Sequence, residues 1–591
     1  MGVDVFFVIS GFLITKIIIS HVGSVGSFLV NFYERRIRRL VPPAIPVLAF
    51  SAIYSWYLLP PDALYEFAQS LVAYSIFASN WFFLSIAGYF DGPSHFKPLL
   101  HTWSLSVEEQ FYILFPIPVM LLMRRGIGSV RILFSAVFML SLAYSVYLVG
   151  SGDAEAAFFN SLARFWEIAL GGLIAVGVIR APRSAFTRST LGVVGFAAII
   201  ASMVLFTDAT AFPGLSALVP TLGAAAIILS AQGPVASLLS LRPIVGVGLI
   251  SYSLYLWHWP LLVLVDYSVR GPVAGHYLAA ITVSAALATA SYFLIESPIR
   301  KRRAPQSAIR ISTAFVTSTI AVAGLGVAVW KADGVPSRFP DAADYNASRS
   351  DMLQHQAAER LRGECWVGDQ DMYDVIAKCT SGGEATTGRR ILLVGDSHAA
   401  QFYPAIKRLK QGDTVSLLAV DSCTLRSDLR EDCRQVVTWL KMNAKAKTLP
   451  FDLVIMTARV TDYRGAAHFT DTAIAVSEAV PVAVLGPIQH YSPGLPTLYP
   501  TIIGQVSQVE MNRRFTAAVQ DEQFEVDRVL REKLHASPVE FISLLDVTCP
   551  SGPLRCRHLD EEGLPVTLDA SHLTLPAAAM IIGEIAPQLE F

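Results

Sequence analysis

A Gly-Asp-Ser-His sequence that ends at His398 directly follows the apolar run 391–394, and Asp569 and His572 lie near the end of the chain. A serine hydroxyl is a weak nucleophile and needs a base to remove its proton. We expect Ser397 to be the nucleophile, His572 the base, and Asp569 the carboxylate that fixes the histidine tautomer. His398 is a second candidate base, and the backbone N–H of Ser397 is the expected oxyanion donor. These residues predict acyl-transfer chemistry.

The composition indicates what kind of structure carries these residues. The chain has 591 residues, 53% hydrophobic and 16% charged, against about 25% charged in ordinary soluble domains. Residues 1–330 contain 20 Lys and Arg against 13 Asp and Glu, whereas residues 331–591 contain 26 against 34. The first half has apolar stretches long enough to cross a bilayer, for which about 20 residues suffice. The composition therefore predicts a polytopic membrane bundle followed by a more polar domain.

The arrangement of the basic loops predicts the topology of the bundle. We expect spans near residues 2–20, 41–59, 104–123, 130–149, 162–179, 190–206, 215–231, 244–265, 275–295 and 310–330, with 68–90 as a further candidate. Basic loops stay on the cytoplasmic side. All the basic loops can lie on one side of the membrane only if 68–90 does not fully cross it. These loops are Arg35–Arg39, Arg124–Arg131, Arg180–Arg188 and Arg300–Arg303. This solution places everything after Trp330 outside.

All six cysteines lie in the second half. An even, segregated set predicts disulfides and an oxidising compartment, with reduced buried cysteines as the alternative. Pairing of nearest neighbours, one of fifteen possible connectivities, predicts Cys365–Cys379, Cys423–Cys433 and Cys549–Cys556.

The second half alternates short apolar strands with helical or loop segments. We predict buried parallel strands at 391–394, 415–420, 453–456 and 482–485, and hence a three-layer α/β sandwich. Ser397 follows the first of them, so its hydroxyl should project from the carboxyl edge of the sheet. No P-loop, dinucleotide fingerprint or zinc spacing is found, and the basic runs sit at membrane boundaries, which gives no support for nucleic-acid binding.

Several motifs carry a resemblance to known families. In the first half these are Gly2–Thr15, Phe32–Pro42, Trp103–Tyr112, Arg164–Glu167, Ser251–Pro260 and Glu296–Arg300. In this order they resemble the bacterial membrane acyltransferase-3 family. In the second half the motifs are Gly395–His398, Asp452–Arg459 and Asp569–His572. They are similar to the SGNH-hydrolase domain fused to many members of that family, so the resemblance covers essentially the whole chain.

The resemblance implies a domain organisation. It predicts a membrane acyltransferase-3 domain at 1–300, a last transmembrane helix (about 310–330) and linker within 301–390, and a periplasmic SGNH or flavodoxin-like α/β domain at 391–591. The family's first helix, which carries an Arg and ends in the His of acyl transfer, would precede Gly2 and is missing. A wrongly assigned start and a truncation that inactivates the membrane half both remain open. No catalytic His of the membrane domain can be named.

The remaining candidate residues concern the donor and the substrate. Arg36 and Arg39 suit the phosphates of acyl-CoA as forked donors, although basic residues at this position also serve as ordinary topological anchors. Ionisable side chains within a membrane bundle are candidates for a functional site. The alternative for His258 is a structural hydrogen bond to a neighbouring helix. The residues expected to contact substrate are Asp396, Glu108, Glu109 and His258.

These expectations favour a multi-pass O-acyltransferase of the bacterial inner membrane. It would take an acyl group, expected to be acetyl, from cytoplasmic acyl-CoA as donor substrate, with no bound cofactor or metal. The acceptor would be a hydroxyl of an envelope polysaccharide or lipid-linked glycan, such as lipopolysaccharide O-antigen. The alternatives are a periplasmic carbohydrate esterase on a membrane anchor and an inactive truncated homologue or other non-enzymatic envelope protein.

Overall fold

The structure, a computed structural model, divides into two compact units, Met1–Val335 and Pro336–Phe591. It describes residues 1–21, 24–87, 96–207, 210–268, 273–301, 305–342, 345, 358–367, 372–380, 388–410, 412–421, 423–425, 431–460 and 463–589. The boundary between the units falls within the stretch 301–390 that was predicted to hold the last span and the linker.

The first unit is helical throughout its described regular structure. Its helices are α1 (Gly2–Ile19), α2 (Val25–Leu58), α3 (Pro61–Ser75), α4 (Ser79–Ile86), α5 (Thr102–Leu114), α6 (Pro116–Met123), α7 (Ile127–Gly150), α8 (Ala154–Phe159), α9 (Ser161–Ala175), α10 (Ala185–Leu205), α11 (Leu218–Ser230), α12 (Pro234–Leu239), α13 (Arg242–Ser268), α14 (Ala274–Ser291), α15 (Ser297–Lys301) and α16 (Pro305–Lys331). A π-helical turn, Tyr292–Glu296, joins α14 to α15.

By length and composition, seven of the described helical segments can cross a membrane: Gly2–Ile19, Val25–Leu58, Thr102–Met123, Ile127–Gly150, Ala185–Leu205, Arg242–Ser268 and Ala274–Arg300. The expected spans 162–179, 215–231 and 310–330 are also helical, as α9, α11 and α16, but they are not among these seven. Helix α9 has only 15 residues, which is too short to cross a bilayer by itself.

The structure describes two parts of the predicted membrane topology in more detail. The candidate segment 68–90 is not one helix, because α3 and α4 are 15 and 8 residues long and are separated by a turn. The basic stretch Arg35–Arg39 is not a loop, since it lies inside the 34-residue helix α2. Residues 88–90 of the candidate segment and Arg302 and Arg303 of the last basic loop lie outside the described residues.

Glycines allow close packing between α1 and α9. A Cβ at Gly11 would lie 1.9 Å from the carbonyl oxygen of Ile168, and a Cβ at Gly171 would lie 2.0 Å from that of Val8. Both positions therefore need a residue without a side chain. Small residues at such crossings let two helix backbones approach closely and gain van der Waals contact. In a membrane this contact matters because the hydrophobic effect does little to favour helix–helix association over helix–lipid contact.

The second unit is a six-stranded, all-parallel sheet between helices. Its strands are β1 (Trp366–Val367), β2 (Arg390–Gly395), β3 (Thr414–Val420), β4 (Leu453–Thr457), β5 (Val482–Leu485) and β6 (Glu540–Ile542). Its helices are α17 (Met372–Thr380), α18 (Ser397–Ala400), α19 (Tyr403–Leu409), α20 (Glu431–Ala446), α21 (Tyr463–Ser477), α22 (Leu495–Ile502), α23 (Gln508–Thr516), α24 (Glu522–Leu534), α25 (Leu544–Thr548) and α26 (Leu575–Ile585).

The strand order β1-β3-β2-β4-β5-β6 is the flavodoxin-like order with β1 added at one edge. Helices α17, α20, α21 and α24 cover one face of the sheet with a continuous apolar cluster, while α19 packs against β3 and α26 on the other face. The predicted three-layer α/β fold and its four predicted strands are confirmed. The sequence prediction missed β1 and β6, which are only two and three residues long.

The cysteine prediction is confirmed. The three disulfides join Cys365 to Cys379, Cys423 to Cys433, and Cys549 to Cys556, and no free cysteine occurs among the described residues.

Candidate active site

Ser397 lies at the topological switch point of the sheet. Strand β2 pairs with β3 on one side and with β4 on the other, so the chain leaves β2 toward one edge and later returns to the opposite edge. In open α/β sheets the crevice outside the carboxyl ends of such strands is the usual ligand site. Ser397 is two residues beyond the end of β2 and begins α18.

The structure brings Ser397, His572 and Asp569 together. The hydroxyl of Ser397 is 2.8 Å from Nε2 of His572, and Nδ1 of the same ring is 2.6 Å from Oδ2 of Asp569. An ionised Asp569 accepts from Nδ1–H, which leaves the Nε2 lone pair to accept the serine proton. The three residues form a nucleophile, a base and a carboxylate in hydrogen-bonding sequence.

A closed loop holds the base and the carboxylate. An antiparallel bridge between Thr567 and Leu573 closes this loop. The other carboxylate oxygen of Asp569 accepts the N–H groups of Ser571 at 2.7 Å and His572 at 2.8 Å. Burial raises the pKa of Asp569, but His572 and these N–H groups outweigh it and hold the pKa well below its usual value. Asp569 therefore stays ionised.

Asp396 is enclosed at the base of the serine turn. It is 1% exposed; its Oδ1 accepts the N–H of His398 and its Oδ2 accepts the N–H of Arg459, both at 2.8 Å. Burial raises the pKa of Asp396 to about 6, opposed by these two N–H groups. The carboxylate therefore ties the turn after β2 to the segment after β4, which makes it a positioning residue.

Two further histidines lie beside the triad. The His398 ring is 5.0 Å from that of His572 and 5.6 Å from that of His490, measured between centroids. Burial, together with nearby positive charge, lowers the pKa of His398 well below its usual value and that of His490 to about 3. Both rings are neutral near pH 7. Nothing in the described contacts links His398 to the serine hydroxyl, so His572 is the base that the geometry selects.

Three candidate residues of the first unit, Arg36, Glu108 and Glu109, lie in one buried cluster. The guanidinium of Arg36 bonds the Glu109 carboxylate and lies 3.5 Å from the centroid of the Tyr112 ring. Glu108 accepts from the Ser10 hydroxyl at 2.7 Å and from Tyr112. A cavity of about 220 Å³ lies against this cluster, and Arg36 and Glu109 are among its lining residues.

Arg39, His258 and Arg164 differ in their surroundings. Arg39, one turn after Arg36 on α2, is exposed. His258 bonds the carbonyl of Tyr255 on its own helix through Nδ1 at 2.6 Å, so the predicted bond to a neighbouring helix is absent from its described contacts. Arg164 donates to Asp4 at 2.6 Å and pairs with Glu167 at 3.1 Å, with all three side chains buried.

Comparison with known proteins places the chain in a family. The profile described as an acyltransferase domain matches residues 1–295, and the one described as an SGNH domain fused to AT3 domains matches residues 364–587. A putative membrane-bound transacylase, BcsY of Komagataeibacter xylinus, is 33% identical over 305 residues, which cover 50% of this chain and 75% of the relative. The chain belongs to the acyltransferase family. The resemblance seen in its motifs is thereby confirmed.

Other relatives of this acyltransferase-family chain also match about half of it. The O-acetyltransferase OatA of Staphylococcus aureus is 31% identical over 324 residues, 51% of this chain and 53% of the relative. The putative peptidoglycan O-acetyltransferase YrhL of Bacillus subtilis is 33% identical over 327 residues, 51% of this chain and 50% of the relative. The chain spans about half the length of these two curated relatives.

Sequence reasoning missed several residues around the candidate residues of each unit. Tyr112 follows Glu108 by one helical turn, and this spacing could have identified the pair. Ser10 lies 98 residues from Glu108 along the chain, and no local signal connects them. Arg459 was part of a motif only, whereas the structure places its backbone against Asp396.

Proposed function

We propose that this chain is a bacterial O-acyltransferase that places an acyl group, with acetyl as the expected group, on a hydroxyl of a cell-envelope glycan. The observation that carries the proposal is the aligned Ser397, His572 and Asp569 set. Its occurrence in a member of the acyltransferase family, in the same chain as a unit with membrane-type helices, supports acyl transfer as the reaction.

The chemistry follows from the triad. Oγ of Ser397 attacks the acyl carbonyl carbon while Nε2 of His572 takes the hydroxyl proton. The donor leaves with a proton from His572, and Ser397 carries the acyl ester. His572 then takes the proton of an acceptor hydroxyl, whose oxygen attacks the ester and releases Ser397. Asp569 holds the imidazole tautomer and stabilises the imidazolium in both halves of the reaction.

The relatives support the classes of acyl group and acceptor. OatA is described as an O-acetyltransferase, YrhL as a putative peptidoglycan O-acetyltransferase and BcsY as a putative membrane-bound transacylase. We therefore propose acetyl as the group and an envelope polysaccharide or lipid-linked glycan as the acceptor. Lipopolysaccharide O-antigen remains one member of that class.

We further propose that cytoplasmic acyl-CoA is the first donor, that the first unit takes its acyl group and passes it on to Ser397, and that Arg39 contacts the phosphates of the CoA. Arg39 is exposed near Arg36 on α2, and a guanidinium is a suitable forked donor for phosphate oxygens. Arg36 already pairs with Glu109, so it is better placed to order the cavity beside that pair. The location proposed for the protein is the inner membrane with the second unit periplasmic, a placement that the three disulfides favour.

The second candidate is a periplasmic esterase. The same acyl-enzyme would form, and water instead of a sugar hydroxyl would release the acyl group, so the triad geometry serves either reaction. The two functions predict opposite changes of the glycan: loss of the enzyme lowers acylation if it is a transferase and raises it if it is an esterase.

The decisive experiment replaces the nucleophile. In a deletion strain complemented with Ser397→Ala, mass spectrometry of envelope glycans should show loss of acylation, because only the attacking oxygen is removed. Ser477→Ala is the matched control, since that hydroxyl bonds only the Ile474 carbonyl of its own helix among the described contacts. Wild-type acylation with Ser397→Ala would contradict the proposal, and increased acylation would favour the esterase.

A further inference from the structure

The reaction at Ser397 creates a negative oxygen that needs hydrogen-bond donors. When Oγ attacks, the carbonyl π electrons move to oxygen and form a tetrahedral oxyanion. Preorganised donors aimed at that oxygen supply a large part of the rate in such sites. The backbone N–H of Ser397 is one donor, and it bonds no acceptor among the described residues.

The other backbone donors of the serine turn are already occupied. The N–H groups of His398 and Arg459 both donate to the Asp396 carboxylate. Those of Ala399 and Ala400 donate to the carbonyl of Asp396 at 2.9 and 3.1 Å. These four N–H groups are therefore not available to an oxyanion, and a side chain is the other possible source of a second donor.

Arg459 is placed to supply it. Gly395 of β2 is directly paired with Thr457 of β4, so Ser397 and Arg459 each lie two residues beyond the same rung of the sheet. The Arg459 backbone is fixed against the serine turn by its bond to Asp396, while the residue as a whole is exposed. Its positive charge contributes to the lowered pKa values of His398 and His490.

The neighbouring side chains are less suitable. The neutral side chain of Gln401 is fully buried; its Oε1 accepts the N–H of Leu573 at 2.8 Å, and its Nε2 has no described partner. His398 is buried, and its Nε2 has no described partner. Arg459 differs from both in carrying a positive charge, and a charged donor binds an oxyanion more strongly than a neutral amide or imidazole does.

We propose that the guanidinium of Arg459 is the second oxyanion donor at Ser397. The assignment rests on the proposed function, since it requires Ser397 to be acylated. Arg459 donates hydrogen bonds and takes no part in the proton transfer. The serine proton goes to His572 as the Oγ–C bond forms, and the oxyanion held by Arg459 and the Ser397 N–H returns its electrons as the leaving-group bond breaks.

The test uses the purified full chain in detergent with 4-nitrophenyl acetate as probe donor. Removing one oxyanion donor typically lowers kcat by about 10²–10³-fold, so Arg459→Gln should reduce 4-nitrophenolate release by this factor with little change in KM. Arg459→Lys should recover part of the rate. Arg528→Gln is the control, because that exposed arginine pairs with Glu525 and Glu532 on α24 and should retain full activity.

A second readout separates catalysis from folding. The rate at which a fluorophosphonate labels Ser397 with loss of fluoride should fall in Arg459→Gln, because its polarised phosphoryl oxygen, bonded to tetrahedral phosphorus, takes the place of the oxyanion. Unchanged thermal unfolding would show an intact fold. Unchanged release and labelling with Arg459→Gln would overturn the assignment. So would a variant that forms the acyl-enzyme normally but fails only in transfer to a glycan, since that result would make Arg459 an acceptor-binding residue. Activity that survives Ser397→Ala would instead overturn the proposed function itself.

Discussion

At the scale of single residues, the site combines one ionised carboxylate with several histidines of different function. Asp569 is kept charged beside His572, whereas His398 and His490 are kept neutral by burial and nearby positive charge. A neutral His398 cannot compete as a cation for Asp569. The local electrostatics therefore favour proton transfer through His572 alone.

Buried neutral histidines should make the second unit sensitive to acid. His558 bonds the hydroxyls of Tyr491 and Thr516, both at 3.1 Å, and burial lowers its pKa to about 4 from 6.5. The pKa of His558 is lower in the folded than in the unfolded protein, so the unfolded state takes up the proton first. The stabilisation by neutral His558 is therefore present above about pH 6.5 and is lost as the pH falls toward 4.

We therefore expect the unfolding temperature of the full chain to fall between pH 7.5 and 5. The fall should be smaller in His558→Gln, which cannot take up the proton, while the exposed His535→Gln serves as control. Thermal scans at the two pH values, read by limited proteolysis of the second unit, measure this. An equal fall in His558→Gln and the wild type would argue against the assignment.

At the scale of elements, the nucleophile depends on the close approach of β2 and β4. A Cβ at Gly395 would lie 1.8 Å from the carbonyl oxygen of Thr457. That contact involves backbone atoms, so the strands would have to separate. The carboxyl ends of the same two strands position Ser397 and Arg459.

Gly395→Ala should therefore lower both stability and activity. We expect destabilisation of about 1–3 kcal/mol, the usual cost of overpacking, and a loss of 4-nitrophenyl acetate turnover larger than the loss of folded protein explains. Gly583→Ala is the matched control, because a Cβ there meets nothing within 4 Å and alanine is favoured in a helix. Chemical denaturation and turnover per folded molecule are the measurements. Equal behaviour of the two variants would show that the strands tolerate the extra methyl group.

At the scale of the whole molecule, the proposed reaction uses two sites in two units. The cluster of Arg36, Glu109, Glu108 and Tyr112 lies in the first unit, and the serine triad lies in the second. Defects in donor use and in glycan acylation should then be separable. Arg36 is a poor test residue, because removing it would leave the buried Glu109 charge without its partner, a change that typically costs 3–5 kcal/mol.

Arg39→Gln is the better probe of the donor site. It should reduce CoA release from acetyl-CoA by the purified full chain, since phosphate would lose a charge-assisted donor, while Ser397→Ala should still release CoA as the first unit becomes loaded. Arg35→Gln, an exposed arginine on the same helix, is the control. Thiol titration measures the release. Equal activity of the Arg35 and Arg39 variants would remove Arg39 from the donor site.

The sequence by itself determined the local features. The length of the apolar stretches predicted the helices of the first unit, and the short apolar runs predicted strands β2 to β5. Pairing of neighbouring cysteines predicted the three disulfides. All these features depend on residues that are close together in the chain. The Gly-Asp-Ser-His and Asp-x-x-His motifs identified Ser397, Asp569 and His572 for the same reason. Strands β1 and β6 escaped prediction since two or three residues carry too little pattern.

Only the tertiary structure decided which distant residues meet. Ser397 and His572 are 175 residues apart along the chain, and Ser10 and Glu108 are 98 apart. Arg36 was expected to be available for phosphate, but the fold pairs it with Glu109 on another helix. Asp396 likewise accepts the N–H of Arg459 from the next strand. Such partners are set by strand order and helix packing, which bring together groups whose own sequence neighbourhoods contain no sign of one another.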